Sequence, residues 1–175
     1  MTNTTTTVHQ FLTTVIQRNT SGELKEEFTC GIPTTAEHQP HILLQRRGIE
    51  AQLDFLSQEE LVFRVYKRPP HRLLFRRWNI FERLRHFLYL SPSIPTGDSD
   101  LDRTWILQYV SADDAARLLD LKVRTLIKKL GLFEEMEWTD QAYRCLKAVD
   151  ISNGYTPENA LQDLDTLLDL AEALR

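Results

Sequence analysis

Three short apolar segments, His41–Arg46, Ile49–Leu56 and Leu61–Lys67, are separated only by Arg47-Gly48 and Ser57-Gln58-Glu59. Connections this short join antiparallel neighbours, because a parallel pair needs a crossover of about a dozen residues or more. The spacing therefore predicts an antiparallel meander. Alternation supplies each strand with a core face: Ile49, Ala51, Leu53 and Phe55 oppose Glu50, Gln52 and Asp54, and Leu61, Phe63 and Val65 oppose Val62, Arg64 and Tyr66. Pro69-Pro70 interrupts the pattern, and a fourth short strand is placed at Arg72–Arg77.

Around this meander the sequence predicts helices. Val8–Arg18 has apolar residues at helical spacing and a stop at Asn19-Thr20-Ser21-Gly22, with residues 1–7 expected to be disordered. Glu23–Cys30 reads either as more helix or as a strand ending at Gly31-Ile32-Pro33. Asn79–Leu90 reads as a helix with Asn79 as its cap. From Thr96 to Leu130 the order is turn, strand, cap and helix. Thr96-Gly97-Asp98 has turn composition, Trp105–Val110 alternates, Ser111 caps, and a stripe from Ala115 to Leu130 ends at Gly131. A strand pair, Phe133–Trp138 and Ala142–Val149, follows. A last helix begins after Thr156 with Pro157 in its first turn and runs almost to Arg175. The whole is read as a single α+β domain over residues 1–175, an antiparallel sheet with helices packed mainly on one face.

The Thr96–Leu130 stretch also resembles a known pattern. Gly97-Asp98, three residues, Asp102, an aromatic-bearing strand, then Asp113-Asp114 opening a helix with Leu118-Leu119 and Val123-Arg124 is similar to a family of uncharacterised bacterial proteins of unknown function. In that family a Thr-Gly-Asp turn is followed by Phe-Asp, a hydrophobic strand and an acidic-capped helix; here Leu101 stands where phenylalanine is usual. The likeness extends from about Ile94 to the C-terminus. It implies an α+β architecture and brings no activity and no catalytic residue.

Charge is distributed unevenly. Residues 41–96 carry 10 basic and 5 acidic side chains, whereas residues 97–175 carry 9 and 16. Opposed charge of this kind is first expected to be internal complementarity, with an anionic partner as the alternative. Within the basic part, Arg64, Arg68, Arg72, Arg76, Arg77, Arg83 and Arg85 are interleaved with aromatics including Trp78, a pattern that suits phosphates and stacked bases. The net charge of −4 argues against a general nucleic-acid binder.

Other sites test poorly. Asp98, Asp100 and Asp102 alternate in a loop, but counting from Asp98 the EF-hand glycine position holds Arg103 and the bidentate glutamate position holds Tyr109. His38 and His41 have His-x-x-His spacing, with His71 and His86 further on, yet Cys30 is the nearest thiol and no closed zinc shell is visible. Cys30 and Cys145 lie in no metal or redox spacing and are read as reduced and structural. Phosphate-binding glycine loops, nucleophile elbows and His-Glu-x-x-His are absent, and Ser57, Ser91 and Ser93 have no identifiable base. No cofactor and no metal are expected.

Met1–Val8 lacks the features of a signal peptide, and no apolar run approaches the roughly 20 residues that span a bilayer. A cytoplasmic location is expected, without membrane contact. The function that ranks first is a non-catalytic protein-interaction module, adaptor or chaperone-like, using the leucine face of the last helix at Leu167, Leu170 and Leu174 to bind another protein or itself. Nucleic-acid binding through residues 63–89 is the alternative, and a small enzyme with an unrecognised site ranks third.

Overall fold

The computed structural model describes residues 3–19, 41–57, 59–79, 88 and 93–174. Seven strands form one antiparallel sheet in the order β1-β2-β3-β7-β6-β4-β5. They are β1 (His41–Arg46), β2 (Ile49–Ser57), β3 (Glu60–Val65), β4 (Leu73–Arg77), β5 (Trp105–Gln108), β6 (Glu135–Trp138) and β7 (Tyr143–Ala148). Among the described residues the helices are α1 (Asn3–Arg18), α2 (Ser99–Thr104), α3 (Ala112–Leu118), α4 (Leu121–Lys129) and α5 (Pro157–Ala173).

Register makes the core. Directly opposed residues in an antiparallel sheet share a face, so one line runs across all seven strands: Ile42, Leu53, Phe63, Cys145, Met136, Phe75 and Leu107. Every member is at most 1% exposed. A parallel line holds Leu44, Ala51, Val65, Tyr143, Trp138 and Leu73. Residues of α1 to α5 join this same buried cluster, so the described helices serve one face of the sheet.

The opposite face is a charged ladder. Arg64 pairs with Asp54, which also accepts from Gln52 Nε2 at 2.7 Å. Glu135 is held between Arg76, whose Nη2 lies at 3.0 Å, and Arg144, whose Nη1 lies at 2.6 Å. Val62, Leu74 and Ile106 are buried on this side and stand outside the main core.

The meander, the strand pair and the last helix form where the sequence places them. Two features of the middle differ. A short helix, α2, precedes β5, because Asp98 accepts from the backbone N–H groups of Asp100 and Leu101 and so caps a helix in place of a simple turn. The stripe from Ala115 to Leu130 is broken into α3 and α4, since Asp120 accepts from Val123 N at 2.8 Å and starts a new helix inside the apolar pattern. β5 also ends at Gln108, two residues earlier than expected, as Tyr109 turns into the left-handed region. α1 begins at Asn3, upstream of Val8. The readings of Glu23–Cys30 and of residues 80–87, 89 and 90 lie outside the described residues.

Candidate functional site

The sheet alternation of β7 sends Tyr143, Cys145 and Lys147 inward. Lys147 is thus a lysine at a core position, 8% exposed. The turn after β7 carries the chain to α5, which starts with Thr156 as cap and Pro157 in its first turn and is closed by a capping box between Thr156 and Asn159. Helical spacing then places Ala160, Asp163, Leu164 and Leu167 on the buried face, so a carboxylate arrives opposite the lysine.

The geometry is tight. Lys147 Nζ donates to Asp163 Oδ2 at 2.7 Å and to the Leu130 carbonyl at 2.7 Å. Tyr155 Oη donates to the same Oδ2 at 2.7 Å, and its ring stacks on Phe11 with centroids 6.1 Å apart. An ion pair removed from water must gather hydrogen bonds to offset desolvation, and this one does so with a phenol and a helix-terminal carbonyl. Burial, reinforced by Asp163, holds the Tyr155 phenol well above its ordinary range. Burial also pushes the neighbouring Cys145 thiol up to about 12. A protonated thiol and a phenol that resists ionisation are poor nucleophiles and poor bases.

An open cleft of about 400 Å³ lies over this cluster. Its polar rim is formed by Lys129, Asp150, Asn153, Asn159 and Gln162, with Lys147, Tyr155 and Asp163 below. Sequence reasoning missed the cluster. The available signals were a lysine in phase with Tyr143 and Cys145 on a strand and an aspartate in phase with the leucines of the last helix.

The residues singled out from the sequence fare differently. Arg64 faces Asp54, Arg76 faces Glu135 and Arg77 Nη1 lies 2.7 Å from Glu134 Oε1. Trp78 Nε1 donates to the Asp102 carbonyl at 3.0 Å. Phe63 and Phe75 are core. Arg68 and Arg72 are exposed, and Arg83 and Arg85 lie outside the described residues. The proposed docking leucines require correction: Leu167 and Leu170 are fully buried and Leu174 is 7% exposed, because α1 and α4 both pack on α5 and take up its broad apolar face.

The three aspartates have structural work. Asp98 caps α2 and meets Lys128, whose ammonium holds its carboxyl below the usual carboxylate range. Asp100 also meets Lys128, and Asp102 accepts from the Thr96 backbone N–H and hydroxyl, both at 2.8 Å. Gly97, at φ +75°, offers its carbonyl to Arg124 Nη1 at 2.7 Å, tying the turn to α4. Among the described residues no group of three or more metal-ligating side chains is assembled. His71 is exposed; Cys30, His38 and His86 lie outside the described residues. No helix among the described residues is long and apolar enough to cross a membrane.

One large side chain stands apart. Tyr109 is 71% exposed and has φ +65°, a conformation that bulky L-residues adopt at a cost. Leu121, the first residue of α4, and Leu132, just beyond its end, are exposed by 75% and 60%.

No family model and no curated protein matches the chain. Among solved structures it is similar to the crystal structure of the mycobacterial trehalose monomycolate transport factor A, TtfA, with a TM-score of 0.61 and 12% identity over 96% of this chain and 94% of that one. At that identity the likeness is one of fold.

Proposed function

We propose that this chain is a non-catalytic accessory protein that acts by binding another protein, with Tyr109 as an anchor of the contact. Tyr109 is the observation that carries the reading. Backbone strain persists only where the surroundings over-determine it, and it concentrates at functional positions; here it holds an aromatic side chain in solvent. Tyrosine is enriched among residues that dominate protein interfaces. The fold shared with a transport factor agrees with an accessory role, and the closed chemistry around Lys147, Cys145 and Tyr155 speaks against a reacting centre.

Nucleic-acid binding keeps a narrower basis, since Arg64, Arg76 and Arg77 face carboxylates, and of the two arginines exposed in the described part of the basic stretch, Arg68 and Arg72, the latter lies 3.9 Å from Asp140.

Replacing Tyr109 with glycine gives the test. Relief of the left-handed strain and the added freedom of the unfolded chain oppose one another, so the variant is expected to keep its stability within about 1 kcal/mol. Partners recovered by cross-linking in cells are purified and the complex rebuilt from its two components. Y109G is expected to weaken that complex at least tenfold. A chain that forms no reconstitutable complex, or a complex indifferent to Y109G, overturns the reading. Tight binding of single-stranded RNA at low salt would favour the alternative.

A further inference from the structure

We propose that the cleft over Lys147 and Asp163 is a binding site for a small, uncharged, polyhydroxylated molecule, of polyol or single-sugar size. The site is built rather than incidental. Its floor is a lysine and an aspartate, 8% and 9% exposed, fixed to one another, to Tyr155 and to the Leu130 carbonyl. Because both donors converge on Oδ2 of Asp163, its other oxygen, Oδ1, has no hydrogen-bond partner among the described residues. That leaves an acceptor without a partner on a residue that lines the cleft.

Charge then selects the ligand class. Lys129 and Lys147 are balanced by Asp150 and Asp163, so the lining attracts neither anions nor cations. An anion would meet two carboxylates. The N-terminal N–H groups of α5 that would otherwise favour one are partly engaged by Thr156. The rim instead offers amides: Asn153 and Gln162 each carry a donor and an acceptor side by side, and Asn159, whose Oδ1 accepts from Thr156, adds its amide N–H donors. Hydroxyl groups, which donate and accept at once, match such a surface, and a volume of about 400 Å³ accommodates a molecule of this size. One face of the Tyr155 ring is taken by Phe11, and the polar groups of the rim make hydrogen bonding the main mode of recognition.

Gln162 is the residue to change. It is exposed, its side chain makes no hydrogen bond among the described residues, and its backbone is held within α5, the carbonyl also accepting from Thr166 Oγ1 at 2.9 Å. Asn159 belongs to the capping box and would confound binding with folding. The intact chain is titrated in two-dimensional amide NMR spectra with glycerol, myo-inositol and glucose, and separately with phosphate and glutamate. Saturable shifts of the Asn153, Asn159 and Gln162 side-chain amides are expected with inositol or glucose, weakened about three- to tenfold by Gln162→Ala while the other core resonances stay in place. The proposal is overturned if the polyols leave these amides unmoved or move them without saturation. Saturation by phosphate or glutamate instead would overturn the neutral class. None of these outcomes depends on Tyr109 or on a protein partner.

Discussion

Helix α5 is fastened to the sheet twice, and the two fastenings differ in burial. At its N-terminal half, Lys147 and Asp163 pair with side chains only 11% and 13% exposed, and Tyr155 closes the cluster. Farther along, at the hairpin between β1 and β2, Arg46 forms a two-pronged bridge to Asp165 with both distances 2.6 Å, and Arg47 reaches Asp169. Those side chains are 20–40% exposed. The outer pairs retain water as a competitor, so forming and breaking them changes little. At the inner pair water reaches only the side that faces the cleft, and removing one partner strands a largely buried charge. The inner cluster is therefore the stiff point about which the C-terminal part is assembled, and the outer one a clasp.

The largest effect expected from this contrast is that of Lys147→Met. The variant leaves Asp163 facing a phenol alone and should lose about 3–5 kcal/mol in urea unfolding. The double variant with Asp163→Leu should recover part of that loss, because no charge is then stranded, while the Tyr155 hydroxyl still loses its acceptor. A loss below about 1 kcal/mol for Lys147→Met would mean that the cluster is hydrated and the contrast between the fastenings is empty.

Tyr155→Phe comes next. It deletes one hydrogen bond to a charged group while keeping the stack on Phe11, and about 1.5–3 kcal/mol is expected. The wild-type phenol is held above its unfolded value, so its contribution is complete below about pH 10 and is lost as pH rises beyond it. Tyr155→Phe should flatten that alkaline decline, which stability curves at neutral and high pH would reveal.

How much of this was legible follows from the same physics. Strands announce themselves when one face is wet and the other buried, and residues 41–65 alternate cleanly, down to the line from Ile42 through Leu53 to Phe63. Turn lengths of two and three residues then left antiparallel pairing as the solution. The split between α3 and α4 was hidden, because Leu118, Leu119, Val123 and Ile127 keep a helical spacing across it, and only the Asp120 side chain reaching Val123 N makes the break. The leucine face of α5 was legible as broad, and as either buried within the chain or partly kept for another; burial is the outcome, and it depends on which helices dock, since α1 and α4 are remote in sequence. The inner cluster escaped for the opposite reason. A charged residue in phase with a core stripe reads as an imperfection of the stripe until its partner is known, and Lys147 and Asp163 belong to two different periodicities, one of strand and one of helix. Tyr109 gave no signal at all, since the hand of a single backbone torsion is set by what surrounds it.

The smallest effect belongs to the outer clasp. Arg46→Ala removes the bridge to Asp165 together with a donor to Asn19 Oδ1 at 2.7 Å. Two-pronged geometry argues for the upper end of the surface range and partial exposure for a discount, giving about 1 kcal/mol at low salt and less at high salt. Its pH dependence has a definite sign. Arg46 holds the Asp165 carboxyl below its ordinary value, so the stabilisation is present above the unfolded carboxylate pKa, near 4, and is lost as pH falls through the lower folded value. Wild type and Arg46→Ala should thus differ at pH 7 and converge in strong acid. If Arg46→Ala proves as costly as Lys147→Met and equally indifferent to salt, the two fastenings are energetically alike and burial is not what separates them.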